Sequence, residues 1–167
     1  MVIGWLHPGL ILILGAFLIP LFKGKWRQGY LLIPPIAALI DVILMYTGVF
    51  GDIPFSTWRL PFLEYELVFG RVDRLSFIFG LIFTIAALIG TLYALHVKSS
   101  SEHMSQYIYV GSALGVVFAG DLITLYIFWE IMAIASTLII WHGATDKAHR
   151  AGFRYIMWHI AGGIILL

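Results

Sequence analysis

Long uncharged stretches separated by short charged clusters are the dominant pattern of this chain. Residues 1–22 carry no charged side chain and end at Lys23, Lys25 and Arg27; further apolar runs cover about 29–50, 75–95, 107–119 and 122–141. About 20 apolar residues cross the hydrocarbon of a bilayer, so each run reads as a transmembrane helix. The second is interrupted by Pro34-Pro35 and by Asp41. A last run, 153–167, starts in the same way, but at 1.5 Å per residue it reaches only about 22 Å of a core roughly 30 Å thick, and it is expected to be incomplete. The first run lacks the basic start and small-residue cleavage site of a signal peptide and is expected to be retained. The pattern therefore predicts an all-α polytopic membrane protein: one transmembrane domain over 1–167, with about five complete spans and the start of a sixth, and no repeat of 20–50 residues.

The outer loop 51–74 departs from this pattern. In Leu63-Glu64-Tyr65-Glu66-Leu67 apolar and acidic residues alternate, as in a strand with one wet face, and Gly70 is expected to break the run. Asp73 is placed to cap the third helix, and Asp121, after Gly120, to cap the fifth.

Composition and charge sharpen the reading. Hydrophobic residues make up 61% of the chain and charged ones 11%, against roughly 25% charged in a soluble domain. A soluble fold of this size leaves about 30% of its unfolded-chain surface exposed and cannot hide so much apolar area, so lipid is the solvent. A net charge of +1 without a basic stripe argues against nucleic acid. With no cysteine, disulfides and thiolate metal sites are excluded. No Gly-rich nucleotide fingerprint or metal-ligand cluster occurs, and no cofactor or metal is expected. If the amino terminus lies outside, inner segments hold Lys23, Lys25, Arg27, Lys98, Lys147, Arg150 and Arg154, against Arg59, Arg71 and Arg74 outside, as the positive-inside rule requires. Trp5, Trp26, Trp58 and Trp141 fall near span ends, where interfacial anchors sit.

Candidate chemistry centres on Glu130, with eight uncharged residues before it and fifteen after. An ionised side chain near the bilayer centre costs roughly 2.5–3.5 kcal/mol on insertion scales, so such a residue is rare unless buried in protein or used. Helical spacing puts Tyr126, Glu130, Ala133 and Thr137 on one face, a stripe of phenol, carboxylate and hydroxyl with room for water; Phe128, Ile131 and Leu138 point elsewhere. The bland alternative is one ion pair that fixes packing. Asp41, after the Pro-Pro pair, is either a second carboxylate on an ion path or a partner for a freed backbone group or Tyr46. His159, four residues beyond Tyr155, has the proton affinity of a relay, although a lone histidine on an apolar helix is more often a packing residue. Gly111, Gly115 and Ala119 recur every four residues, a helix-packing stripe, and Gly162-Gly163 would permit a close approach or a bend. His7, His96, His103, His142 and His149 fall near span ends.

Ala119-Gly120-Asp121-Leu122 followed by Phe128-Trp129-Glu130, with Val72-Asp73-Arg74-Leu75-Ser76 before them, resembles the antiporter-like subunits shared by respiratory complex I and multisubunit sodium/proton antiporters. Ala151-Gly152-Phe153-Arg154-Tyr155 leading to His159 and Gly162-Gly163 points to the D-type subunit of the antiporters. The resemblance covers essentially the whole chain as an amino-terminal portion. It implies a bacterial or archaeal cell membrane protein with other membrane subunits as partners, and protons with or without sodium as cargo. It also implies Glu130 on the proton path, within a family fold of about fourteen spans built from inverted repeats. The family pairs this glutamate with a lysine on a later span, beyond this chain. Lys147, expected in a loop, is not its equivalent, and the chain alone is expected to carry no flux. An approaching ammonium at about 4–6 Å would drive a proton off the carboxylate, and its withdrawal would let one return. The resemblance implies a carrier component, in some complexes attached to an NADH:quinone oxidoreductase. A structural module without transport is the first alternative. A haem- or quinone-binding protein is the second, and it would need paired intramembrane histidines where only His159 is deep enough.

Overall fold

Capping and small-residue contacts, more than hydrophobicity, decide where each element begins and what it touches. The computed structural model describes residues 6–47, 57–62 and 65–166. In chain order these form α1 (Pro8–Leu18) with a 3-10 turn (Ile19–Leu21), α2 (Gly24–Tyr46), β1 (Thr57–Phe62), β2 (Tyr65–Arg71), α3 (Arg74–Ala94), α4 (Ser100–Phe118), α5 (Leu122–Trp141) and α6 (Asp146–Leu166).

Several helix starts have a chemical reason in a side-chain cap. Proline opens α1, and His7 Nδ1 accepts from the Gly9 amide at 3.1 Å. Asp73 and Ser76 form a reciprocal capping box on α3, both bonds 2.8 Å. Ser99 Oγ accepts from the Glu102 amide at the start of α4. The Ser99 cap places the start of α4 at Ser100 and not 107, and α6 starts at Asp146 and not 153, where the Thr145 hydroxyl accepts from the Ala148 amide at 3.1 Å. Helices continue wherever backbone bonds can form, whereas charge spacing marks only the part that suits hydrocarbon. The sixth segment is thus a helix of 21 residues, about 31 Å long, and Lys147 lies in its first turn and not in a loop. The expectation of five complete spans also changes. Among the described residues three helices, α2, α3 and α5, are long and apolar enough to cross a membrane, while α1 with its 3-10 turn is shorter. The start of the first span, the end of the second at Phe50, Asp52 and Glu64 lie outside the described residues.

Pro34 and Pro35 sit inside α2 without ending it. Pro34 packs where Gly15 of α1 has no side chain: a Cβ there would stand 2.9 Å from Pro34 Cγ. The Tyr30 hydroxyl donates to the Gly15 carbonyl at 2.8 Å. An equally close approach joins α1 to α4. A Cβ on Gly111 would lie 2.7 Å from the Gly9 carbonyl oxygen, and one on Gly115 would overlap the ring of Phe128 on α5. Ala119 closes α4 as its C-cap.

The loops sort to two ends. Arg27 donates to the Lys98 carbonyl and to Ser100 Oγ, the Gln28 amide to the Leu95 carbonyl, and His142 Nε2 pairs with Ser101 Oγ at 3.1 Å. The segments carrying Lys23, Lys25, Arg27, Lys98, Lys147, Arg150 and Arg154 therefore share one end of the bundle. At the other end β1 and β2 pair antiparallel, with an irregularity between Trp58 and Arg59. Gly70 lies within β2 and does not end it. The half-buried Trp58 ring packs on His7 and Phe69; Trp26 is exposed.

Asp121 fastens the hairpin to α5. Its Oδ2 accepts from the Val68 amide (2.6 Å) and the Thr124 hydroxyl (2.8 Å), its Oδ1 accepts from the Thr124 amide (2.8 Å), and the Gly120 amide donates to the Val68 carbonyl (2.9 Å). Partial burial pushes its carboxyl up, but the donors at Thr124 and Val68 outweigh this and hold it below the ordinary carboxylate range. Asp73 is lowered as well, first by the Ser76 amide. A lowered carboxylate stabilises the fold fully above the usual carboxylate range, and that contribution fades as pH falls through its folded-state value. The hairpin is therefore expected to dock at neutral pH and loosen in acid. Asp121→Ala is expected to cost about 1–3 kcal/mol, since it removes a cap and leaves the Val68 amide unpaired. Faster hydrogen exchange across residues 65–71 at neutral pH, with α3 unchanged, would show it; unchanged exchange would refute it.

Candidate functional site

Glu130 lies two turns into α5, which runs from the Asp121 cap as an almost wholly apolar helix between α4 and α6. Phe128 turns to α4 and is buried against Gly115 and stacked on His7. The opposite side of the helix carries Tyr126 and Glu130, and both meet α6 at Gly163. A Cβ there would stand 2.5 Å from Glu130 Oε1 and 2.8 Å from Tyr126 Cε2. Glycine at 163 thus makes the slot that the carboxylate occupies. Oε1 is buried and has no hydrogen-bond partner among the described residues.

His159 stands one turn before Gly163 on α6. Its ring lies between Trp129 (centroids 5.5 Å apart) and Tyr155 (5.7 Å), and its Nε2 is likewise buried without a partner among the described residues. One helix pair therefore holds a buried carboxylate oxygen and a buried imidazole nitrogen, both with unspent hydrogen-bonding capacity. Such groups are costly to leave unsatisfied unless water or a mobile proton reaches them.

The remaining candidates are placed differently. Thr137 is buried on the Glu130 face, and its hydroxyl donates to the Ala133 carbonyl at 2.9 Å. Asp41 is on α2, whose neighbours are α1 and α3, and it is not part of the α5–α6 cluster. It is buried facing the Leu6 backbone amide, with Oδ2 lacking a partner among the described residues. Tyr46 stacks on Phe77 of α3 instead. A separate apolar cleft of about 370 Å³ opens between α3 and α4, lined by Phe83, Gly90, Thr91, Tyr107 and Val110 among others.

Two features are not legible in the sequence. Gly163 faces Glu130 from another helix, a juxtaposition no local period reveals. His7, which the sequence places only near the start of a span, is fully buried among Phe128, Phe69, Phe118 and Trp58, with ring centroids 5.6–6.2 Å away. The aromatic residues that enclose it come from three separate parts of the chain.

Comparison with known proteins adds an independent line. Residues 119–167, which contain α5 and α6, match the family described as NADH:quinone oxidoreductase/Mrp antiporter, TM. The A1 subunit of the Na(+)/H(+) antiporter of Staphylococcus haemolyticus is 30% identical over 177 residues, covering 97% of this chain and 22% of that protein. The A-type subunit of the Alkalihalophilus pseudofirmus Na(+)/H(+) antiporter is 30% identical over 144 residues, 81% of this chain and 18% of the relative. The chain thus spans about a fifth of the length of these relatives. Both are A-type subunits, which corrects the D type expected from the sequence. A chain in the structure of the membrane-bound sulfane sulfur reductase (MBS), an archaeal respiratory membrane complex, shares the fold, with a TM-score of 0.77 and 18% identity over 93% of this chain and 34% of that one. The protein is an integral membrane protein that shares the fold of about a third of a chain in an archaeal respiratory membrane complex and is similar along nearly its whole length to part of the A-type subunits of sodium/proton antiporters.

Proposed function

We propose that this chain is the part of an antiporter-like membrane subunit that carries protons across the bilayer, with Glu130 as the exchanging acid and Tyr126 and His159 beside it. The observation that supports this most is the buried Glu130 Oε1, unpartnered among the described residues, in the slot left by Gly163. A carboxylate that only fixed packing would be bonded to its neighbour; this one keeps an acceptor site open toward α6, one turn from an imidazole with a free nitrogen. Asp41 and the Thr137 hydroxyl lie outside this path. Protons, with or without sodium, are the cargo, and other membrane subunits are its partners, in keeping with relatives that are themselves named as antiporter subunits. The end bearing seven of the ten basic residues faces the cytoplasm, which leaves the amino terminus and the hairpin outside.

A hydrophobic carbodiimide tests this reading, because it adds to protonated carboxyl groups within membranes. Applied to vesicles holding the chain with its partner subunits, it is expected to modify Glu130, identified by peptide mapping, and to stop proton flux in proportion. Modified Glu130 with undiminished flux would refute the assignment.

A further inference from the structure

The side of α6 turned away from Glu130 carries a second pattern. At 100° per residue, Lys147, Arg150, Arg154, Trp158 and Ile165 fall within a sector of roughly 80°. Gly152 and Gly163, on the opposite line, are the buried residues of this helix, Gly152 against Trp141 and Gly163 against Glu130. The outward residues are all exposed, Trp158 at 79% and Ile165 at 85%. The three cations have no acidic partner: the ion pairs among the described residues are Arg59–Glu66 and Arg71–Asp73, and neighbouring Asp146 joins neither. Along the axis the order is cations over about 10 Å, then an indole about 6 Å further, then aliphatic side chains. The level is set by Trp141, whose indole donates to the His149 carbonyl, so the cations flank the last turn of α5.

We propose that this face of α6 binds an anionic phospholipid, its phosphate held by Lys147, Arg150 and Arg154, its glycerol region against Trp158 and its acyl chain along Ile165. The sequence of charge, indole and aliphatic surface complements headgroup, interface and tail in the same order and at bilayer spacing. Guanidinium groups suit phosphate oxygens through paired N–H donors. A protein helix docked here would have to bring its own acids to three cations and still cover an indole and an isoleucine. The inference is independent of Glu130 and of proton transport.

The test uses the full chain in nanodiscs made from equal amounts of phosphatidylglycerol and phosphatidylcholine, with the lipids it retains counted by native mass spectrometry. Phosphatidylglycerol is expected to be enriched severalfold. The K147Q/R150Q/R154Q variant is expected to lose that enrichment, R150K/R154K to keep most of it, and K23Q/K25Q, at the same end of the bundle, to leave it unchanged. Enrichment that survives the triple change, or falls equally in K23Q/K25Q, overturns the proposal in favour of a diffuse basic surface. A second measurement needs no basic substitution. Brominated phosphatidylglycerol is expected to quench the fluorescence that Trp158→Phe removes more strongly than brominated phosphatidylcholine does, and equal quenching would equally overturn it.

Discussion

Glu130→Gln is expected to lower proton-coupled flux about a hundredfold or more, to the level of empty vesicles, while the protein inserts and assembles normally. The size follows from the role proposed for Glu130, since a group that exchanges protons during transfer is worth roughly 10²–10⁴. Glutamine fills the same volume opposite Gly163, so packing survives; its amide needs partners the slot does not offer, at a cost of about 1–2 kcal/mol. Glu130→Asp keeps the acid but is shorter by one methylene, which draws it back from Gly163 and toward its own helix, and partial flux is expected. The measurement is acid-driven proton uptake by vesicles containing the whole assembly. Wild-type flux in Glu130→Gln would remove the residue from the path altogether.

Gly115→Leu is expected to be the most damaging substitution for the fold. A Cβ at this position already overlaps the Phe128 ring, and on its other side Gly9 brings the α1 backbone against α4. Neither neighbour has room to give: Phe128 is held by His7 and Phe69, and α1 is at backbone contact. Overpacking of a tight core typically costs 1–3 kcal/mol and more where backbone must move, so about 3 kcal/mol is a reasonable floor here. Gly29→Leu, at a glycine inside α2 with open space around it, is the matched control and should stabilise by about 0.5–1 kcal/mol, the helix-propensity gain alone. Unfolding in mild detergent with added denaturant, followed by helical signal, compares the two; equal midpoints would refute the packing account.

The features legible in the sequence are those encoded locally. The Asp73 and Asp121 caps depend on amides within three residues, and the Tyr126–Glu130 face depends only on helical period. What crosses between elements is hidden. Strand β1 escapes notice because Pro61 and mixed composition disguise it, and an edge strand tolerates proline. Charge spacing places helix starts too late wherever polar residues continue a helix beyond hydrocarbon, as at Ser100–Gln106 and Asp146–Gly152. The neighbours of Thr137 and Asp41 cannot be read either. Thr137 shares the face of Glu130, yet its hydroxyl is spent on its own helix. Asp41, in place of the proline-freed backbone or Tyr46, faces the amide of Leu6, a group 35 residues away.

The contact between Gly9 and Gly111 also governs the order in which the protein can be built. The two residues are 102 positions apart, and synthesis proceeds at about 5–20 residues per second, so α1 must wait roughly 5–20 s for its seat on α4 to emerge. In the finished fold the other helix it packs against is α2, so over that interval the side meant for α4 stays uncovered by its partner. That delay gives a reason for the composition of this short helix, which has no ionisable side chain from Pro8 to Phe22: a segment that waits in the bilayer must be at home there before its partner arrives.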